Sequence, residues 1–310
     1  MSWTKTTKAA AFATVAAAAT AAALLATASS AAVHAKQAVS VCPNGQVRFG
    51  LEPYDAGPKL ATAYKGLISL LTTKLHCPVK LYIATNYTAE VEAMRAKKLD
   101  VGEFGPLGYI FAHQLAKAQP VAVFGTKARK PVTYTAALWV PTDSEIKTVA
   151  DLKGHTLALS DPGSTSGNLF PRYAMMKAGL NPDKDVKIQY AGSHTASLLA
   201  LTNGKVDAGE VNSQQQATAT AAHQFDTSKF RTIWRSAPIP NDPITVRGDL
   251  PSTFKTAFVR ALFSLAPAQL KAVDAELGVD AGPIIGGKDS LSSQIRDLVG
   301  LLHIDIKHIG

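Results

Sequence analysis

The 310 residues carry 32 Lys and Arg against 23 Asp and Glu, a formal net charge of +9, with two cysteines and eight histidines. The length allows two lobes with a core each, and a basic balance suits an anionic small ligand. No basic run with interleaved aromatics and no CxxC or HExxH spacing occurs, so no nucleic acid, no metal and no cofactor is expected.

In chain order, Lys5 and Lys8 precede an Ala/Val/Leu-rich run that closes on "AVHA" at Ala35. This is the plan of a secretory signal peptide over 1–35, cleaved near Ala35 to give an exported protein. The run is nearly long enough to span a bilayer, so a retained anchor is the alternative. Bulky Val41 ahead of Cys42 speaks against a lipid anchor. Losing Lys5 and Lys8, with no acid beside them, leaves about 275 residues at +7. No second apolar span follows, and a soluble mature chain is expected.

Short β-rich runs then alternate with helical stretches, which predicts α/β lobes with parallel strands. Strands are expected near 47–51, 79–84, 100–104, 121–125, 133–140, 156–160, 186–190, 206–211, 231–236 and 244–247. Helices are expected near 58–75, 88–97, 107–116, 167–178, 195–203, 213–222, 251–264 and 289–301. Cys42 and Cys77 each lie a few residues before one of the first two strands. If those strands are parallel neighbours, a disulfide between them is geometrically plausible.

An internal echo lies across this pattern. "YTAEVEAMRAKKLDVGEF" at 87–104 aligns without gaps to "HTASLLALTNGKVDAGEV" at 194–211, with Thr88/Thr195, Asp100/Asp207 and Glu103/Glu210 among the identities. Two lobes of like construction would face each other, with Tyr87 and His194 at equivalent loops entering helices. Ligands of open parallel sheets bind beyond the carboxyl ends of strands, where such loops converge.

Between the copies, "DPGSTSGN" sets Ser164, Thr165 and Ser166 before an apolar helical run. A helix start offers unpaired N–H groups and partial positive charge, and hydroxyls add donors for an oxyanion. A simple helix cap is the alternative, and Pro171 could be the first helical residue, leaving the hydroxyls outside. Enzymatic motifs fit less well. "GSTSG" has Thr165 where a nucleophile elbow needs Ser, "SEIK" lacks its companion motifs, and no Walker-type loop is present. No nucleophile, base and orienting acid are tied together, so no catalytic residue is assigned.

Together "NYTAEVEAMRAKKLDVGEFGPLGY", "DPGSTSGNLFP", "AGSHTASLLALTNGKVDA" and "IPNDPITVRGDLP" resemble, in order and spacing, the phosphonate-binding (PhnD-like) periplasmic proteins of ABC importers. The likeness runs from about residue 47 to 300. It implies a type II periplasmic-binding fold, two α/β lobes joined by hinge strands around a ligand cleft. Crossings near 131–137 and 233–240 would give lobe I as 36–132 plus 238–310 and lobe II as 133–237. The resemblance also implies a periplasmic solute-binding protein rather than an enzyme. It would act as a monomer, delivering a phosphonate, phosphite or phosphate to an ABC permease.

By the same resemblance Ser164, Thr165 and Ser166 hold the oxyanion, with Tyr87 and His194 as further donors. Asp242, Gln214, Phe104 and Tyr54 complete the implied ligand set. Two departures stand out. Gln214 falls where an aminophosphonate binder would keep a carboxylate, and Phe104 stands where an aromatic hydroxyl can occur. A sulfonate or other small anion on the same fold is the nearest alternative, and a secreted phosphoester-acting enzyme a more distant one.

Overall fold

The structure is a computed structural model that describes residues 41–55, 57–279 and 282–304. The expected signal segment and its cleavage at Ala35 lie outside the described residues. Strand β1 (Val47–Leu51) and β2 (Val79–Ile83) pair in parallel from Val47 opposite Val79. Between them α1 (Gly57–Leu75) buries Leu60, Tyr64, Leu67, Leu71 and Leu75, the three- and four-residue spacing of one helix face. The side-by-side strand starts bring the Cα atoms of Cys42 and Cys77 to 5.7 Å, and the two are joined as a disulfide.

Helix α2 (Tyr87–Arg95) follows an Asn86 cap that accepts from the Ala89 N–H, and leads to β3 (Val101–Glu103). Then come α3 (Pro106–Ala116) and β4 (Gln119–Phe124). The chain crosses on β5 (Thr133–Tyr134) and enters the second lobe at β6 (Ala137–Pro141). A single strand over 133–140 is therefore corrected to two, because Thr135 and Ala136 leave the ladder. There Thr135 N–H donates to Ser213 and Ala136 N–H to Ser236.

The second lobe continues with β7 (Thr156–Leu159), α4 (Phe170–Lys177), β8 (Lys187–Tyr190), α5 (His194–Thr202), β9 (Ala208–Glu210), α6 (Ser213–Ala221) and β10 (Phe230–Arg235). The return is β11 (Ile239–Pro240), antiparallel to β5 with Ile239 opposite Tyr134. After it come β12 (Ile244–Val246), α7 (Ser252–Phe263), α8 (Lys271–Glu276), β13 (Ile284–Gly286) and α9 (Ser293–Leu301). The sequence pattern missed β11, β13 and α8, each six residues or fewer and too short to establish a period.

One sheet has the order β13-β4-β12-β3-β1-β2 and the other β10-β6-β9-β7-β8, joined by the β5–β11 ladder. This is the two-lobed α/β binding-protein architecture with hinge strands. The echoed segments occupy equivalent places. Each places its strand, β3 or β9, between one parallel and one antiparallel neighbour. Asp100 accepts from the Arg48 backbone N–H at 3.0 Å, and Asp207 from that of Thr156 at 2.8 Å. The repeat is thus a structural device: an aspartate before each strand secures the neighbouring parallel strand. Among the described residues no helix is long and apolar enough to cross a membrane.

Replacing Cys42 and Cys77 together by Ala is expected to lower stability by about 3–4 kcal/mol, from the chain entropy regained by a loop of this length. Denaturant unfolding of the oxidised protein and the double variant measures it; equal midpoints would contradict it.

Candidate functional site

The three hydroxyls take three different structural roles. Ser164 caps the helix, its Oγ accepting from the Gly167 N–H at 3.0 Å. A single wide turn, Thr165–Leu169, precedes α4, with Phe170 N–H reaching back to the Thr165 carbonyl. That wider turn accommodates Pro171, which has no N–H to give. The reading in which Pro171 begins the helix is therefore corrected, since the hydroxyls belong to the first turn.

Thr165 Oγ1 accepts the Leu107 N–H at 2.9 Å, so a hydroxyl of the second lobe meets the start of α3 in the first. Ser166 Oγ accepts from Asn212 at 3.4 Å and is bonded to Tyr134. A hydroxyl that accepts a backbone N–H still has its own proton to donate. Ser164 and Thr165 keep that proton at the wall of a cavity of about 40 Å³, a few times the roughly 10–15 Å³ that one water needs.

Both lobes contribute to that wall. Tyr54, Tyr87, Ser164, Thr165, His194, Gln214 and Asp242, all expected from the sequence, line it together. Ser166 and Phe104 do not. Ser166 is 1 % exposed and braces Asn212 and Tyr134, which do line the cavity. Phe104 is fully buried in the apolar cluster around α3, its ring lying over Gly102, where a Cβ would overlap it. Sequence reasoning passed over Glu52, Asp55, Tyr134, Asn212, Gln215 and Glu276. The second copy of the echo ends at 211, directly before "NSQQQ" at 212–216, which was the available signal for Asn212 and Gln215.

His194 stands at the amino end of α5, with Nδ1 2.8 Å from Glu210 and Nε2 3.4 Å from Ser164 Oγ. Burial opposes its charge, but Glu210, then Asp242 and Asp55, outweigh that and raise its pKa. In the imidazolium form, which this shift favours, it donates from both nitrogens, to Glu210 and toward the cavity. Tyr54 reaches inward, its hydroxyl on Tyr64, whose own hydroxyl donates to Glu103 at 2.9 Å. Gln214 donates to Asn241 at 3.2 Å. Across the cleft Thr195 donates to Asp55 at 2.6 Å, and His194 N–H to the Tyr54 carbonyl at 3.3 Å. The two lobes are closed on one another.

The cleft is also acidic. Burial, more than any neighbour, pushes Asp242 up to about 7, against the pull of His194. Burial and then Asp242 push Glu103 up to about 8, although its bond from Tyr64 works the other way. Glu90 is raised by burial, then Glu103 and Asp242, and both its oxygens lack hydrogen-bond partners among the described residues. Such shifts favour the neutral acid. Close to them, hydroxyl, imidazolium and helix-end N–H donors converge. The arrangement suits a small anion rich in oxygens.

Comparison with known proteins agrees with this chemistry. The family model described as ABC transporter, phosphonate, periplasmic substrate-binding protein matches residues 49–282. The phosphonates-binding periplasmic protein of Escherichia coli (strain K12) is 28% identical over 217 residues, 67% of this chain and 63% of that protein. The phosphate-import protein PhnD of Mycolicibacterium smegmatis is 28% identical over 194 residues, 59% of this chain and 60% of that protein. The chain thus spans about three-fifths of the length of these two relatives. A crystal structure of a binding protein component of an ABC phosphonate transporter from Pseudomonas aeruginosa superposes with a TM-score of 0.73. It is 26% identical, covering 81% of this chain and 84% of that one.

A carboxyl whose pKa is raised by folding holds a proton in the native state that the unfolded chain releases. Stability then falls as pH rises from the ordinary carboxylate range through the folded pKa. The ligand-free protein is expected to lose on the order of a few kcal/mol between pH 5 and 8.5. In Glu103→Gln the amide keeps an acceptor for Tyr64, and the fall should be shallower. Urea unfolding at the two pH values tests this; parallel pH profiles would contradict it.

Proposed function

This chain belongs to the phosphonate family of periplasmic substrate-binding proteins of ABC transporters. From that premise we propose that it captures a small phosphorus oxyanion (phosphonate, phosphite or phosphate) and delivers it to the transporter's permease. Members of the family are periplasmic; for this chain the reading adds export, with cleavage near Ala35, and action as a monomer. Binding is non-covalent and involves no turnover. The observation that carries the reading is the meeting of Ser164, Thr165, Tyr87 and His194, from both lobes, on one small cavity at a helix start.

Under this reading Ser164 and Thr165 donate to the oxyanion, and His194 supplies a charged donor. Ser166 acts by holding Tyr134 and Asn212 in place. Hydrogen bonds to a charged group contribute roughly 1.5–3 kcal/mol each. Four of them supply roughly 6–12 kcal/mol, comparable to the roughly 8–12 kcal/mol of micromolar to nanomolar affinity, and burial of the ligand's remaining surface must offset lost rigid-body freedom. Hinge closure about 131–137 and 233–240 fits a division into 36–132 plus 238–310 and 133–237. The sorting of the two main sheets on either side of the β5–β11 ladder supports that division.

The small cavity and the neutral Gln214 favour a compact, uncharged substituent. An unpaired ammonium is costly to bury, and Asp242 alone would face both it and the oxyanion. Titration calorimetry should therefore rank methylphosphonate or phosphite above 2-aminoethylphosphonate, with an alkanesulfonate weaker still. Tightest binding of the sulfonate would transfer the reading to that anion. Gln214→Glu is expected to shift the ratio toward the amine by about 1–3 kcal/mol. An unchanged ratio would remove Gln214 from selectivity.

Thr165→Ala should weaken oxyanion binding about ten- to a hundredfold. The ligand-free protein should lose little stability, because opening the cleft lets water reach the Leu107 N–H. Normal affinity with an early melt would assign the hydroxyl to structure instead.

A further inference from the structure

Glu52 is among the cavity residues that no sequence pattern singled out. It follows β1 directly and is 1 % exposed. Its seat is shaped by two glycines at the start of α3. The Gly105 N–H donates to Oε2 at 2.8 Å, and a Cβ on Gly108 would overlap Oε1. A Cβ on Gly105 would stand 2.9 Å from Oε2 and 3.5 Å from Thr165 Oγ1. The carboxyl and the hydroxyl assigned to the ligand therefore approach one point from opposite lobes.

Oε1 is buried without a hydrogen-bond partner among the described residues. The ionisable groups that act on Glu52 are Glu90 of α2, Asp242 before β12 and Asp161 in the loop after β7. Tyr87 of α2 and Tyr134 of β5 feel its charge in turn. No Lys, Arg or His is among them. Capping α3 explains Oε2 and leaves Oε1, and the place on the cavity wall, unexplained.

On the reading that this cleft holds a phosphorus oxyanion, we propose that Glu52 determines specificity by meeting the ligand as a neutral carboxylic acid. The Gly105 N–H secures the carboxyl, which carries a proton, taken from solvent as the cleft closes, that is donated to an oxygen of the ligand. A carboxylate buried beside the anion, with no cation among the groups that act on it, would be strongly repelled. The acid instead offers a short, charge-assisted O–H···O⁻ bond. Burial, then Glu90, Asp242 and Asp161, raise its pKa well above the ordinary range, which supports the protonated form. The consequence is proton-linked capture: affinity falls as pH rises beyond what the ligand's own ionisation accounts for.

The test compares wild type, Glu52→Gln and Glu52→Ala with methylphosphonate, by calorimetry between pH 6 and 8.5 in two buffers of different ionisation enthalpy. The ligand's own titration is common to all three and cancels. Wild-type Kd is expected to rise with pH more steeply than that of E52Q, the difference approaching about tenfold per pH unit. E52Q should take up about one proton fewer per ligand bound, and E52A should bind more than about tenfold weaker than wild type at pH 6. Equal proton uptake and equal slopes in wild type and E52Q would overturn the proposal. So would an E52Q that melts like wild type and binds at no pH, since the amide offers a neutral donor in the same place. Those results leave the functional reading intact. A wild type that binds no phosphorus oxyanion overturns that reading, and this proposal with it.

Discussion

An anion can be enclosed between two lobes only if the acidic groups already buried there are neutral or paired. This cleft is built around that constraint. Asp55 is bonded to Lys59 and Thr195, and Glu210 to His194. Glu103 receives the Tyr64 hydroxyl, and Glu52 receives the Gly105 N–H. What is not paired is pushed toward the neutral acid by burial. On the proposed reading the donors are then left to act: hydroxyl protons at Ser164 and Thr165, His194, and the start of a helix.

The duplicated architecture puts those donors where they are needed. In each lobe the echoed segment runs from a capped helix start into a central strand, and an aspartate pins the adjoining parallel strand. Tyr87 and His194 arrive at equivalent corners because the backbone that carries them is equivalent. What differs is the partner. Glu210 faces His194 at the end of β9, whereas Glu103, at the end of β3, lies beneath Tyr64. The second lobe thereby presents His194 together with the Ser164 and Thr165 hydroxyls, and the first presents tyrosine hydroxyls and carboxyls shifted toward the neutral acid.

Much of this was legible in the sequence, for reasons that can be named. Strands longer than four residues and helices with a clear apolar face announced themselves. The parallel pairing of the first two strands led to the disulfide. The hydroxyl run and the echo located the cleft. The failures have equally local causes. β11 and β13 are held by partners far away in the chain, so their own residues carry little signal. Successive residues of a helix turn by about 100°, which separates Ser166 from the wall that Ser164 and Thr165 reach. Alternate residues of a strand face opposite sides, so Phe104 turns into the core next to Glu103. Glu52 had no pattern of its own. Its meaning comes from Gly105, Gly108 and Thr165, which only folding brings together.

The most direct test of the central claim is a crystal structure of the protein with methylphosphonate bound. Ligand oxygens are expected within hydrogen-bond distance, about 2.5–3.2 Å, of Ser164 Oγ, Thr165 Oγ1 and His194 Nε2. A further oxygen should lie at a short distance from the Glu52 carboxyl. A ligand seated elsewhere, or one held with water separating it from all four of these groups, would contradict the account.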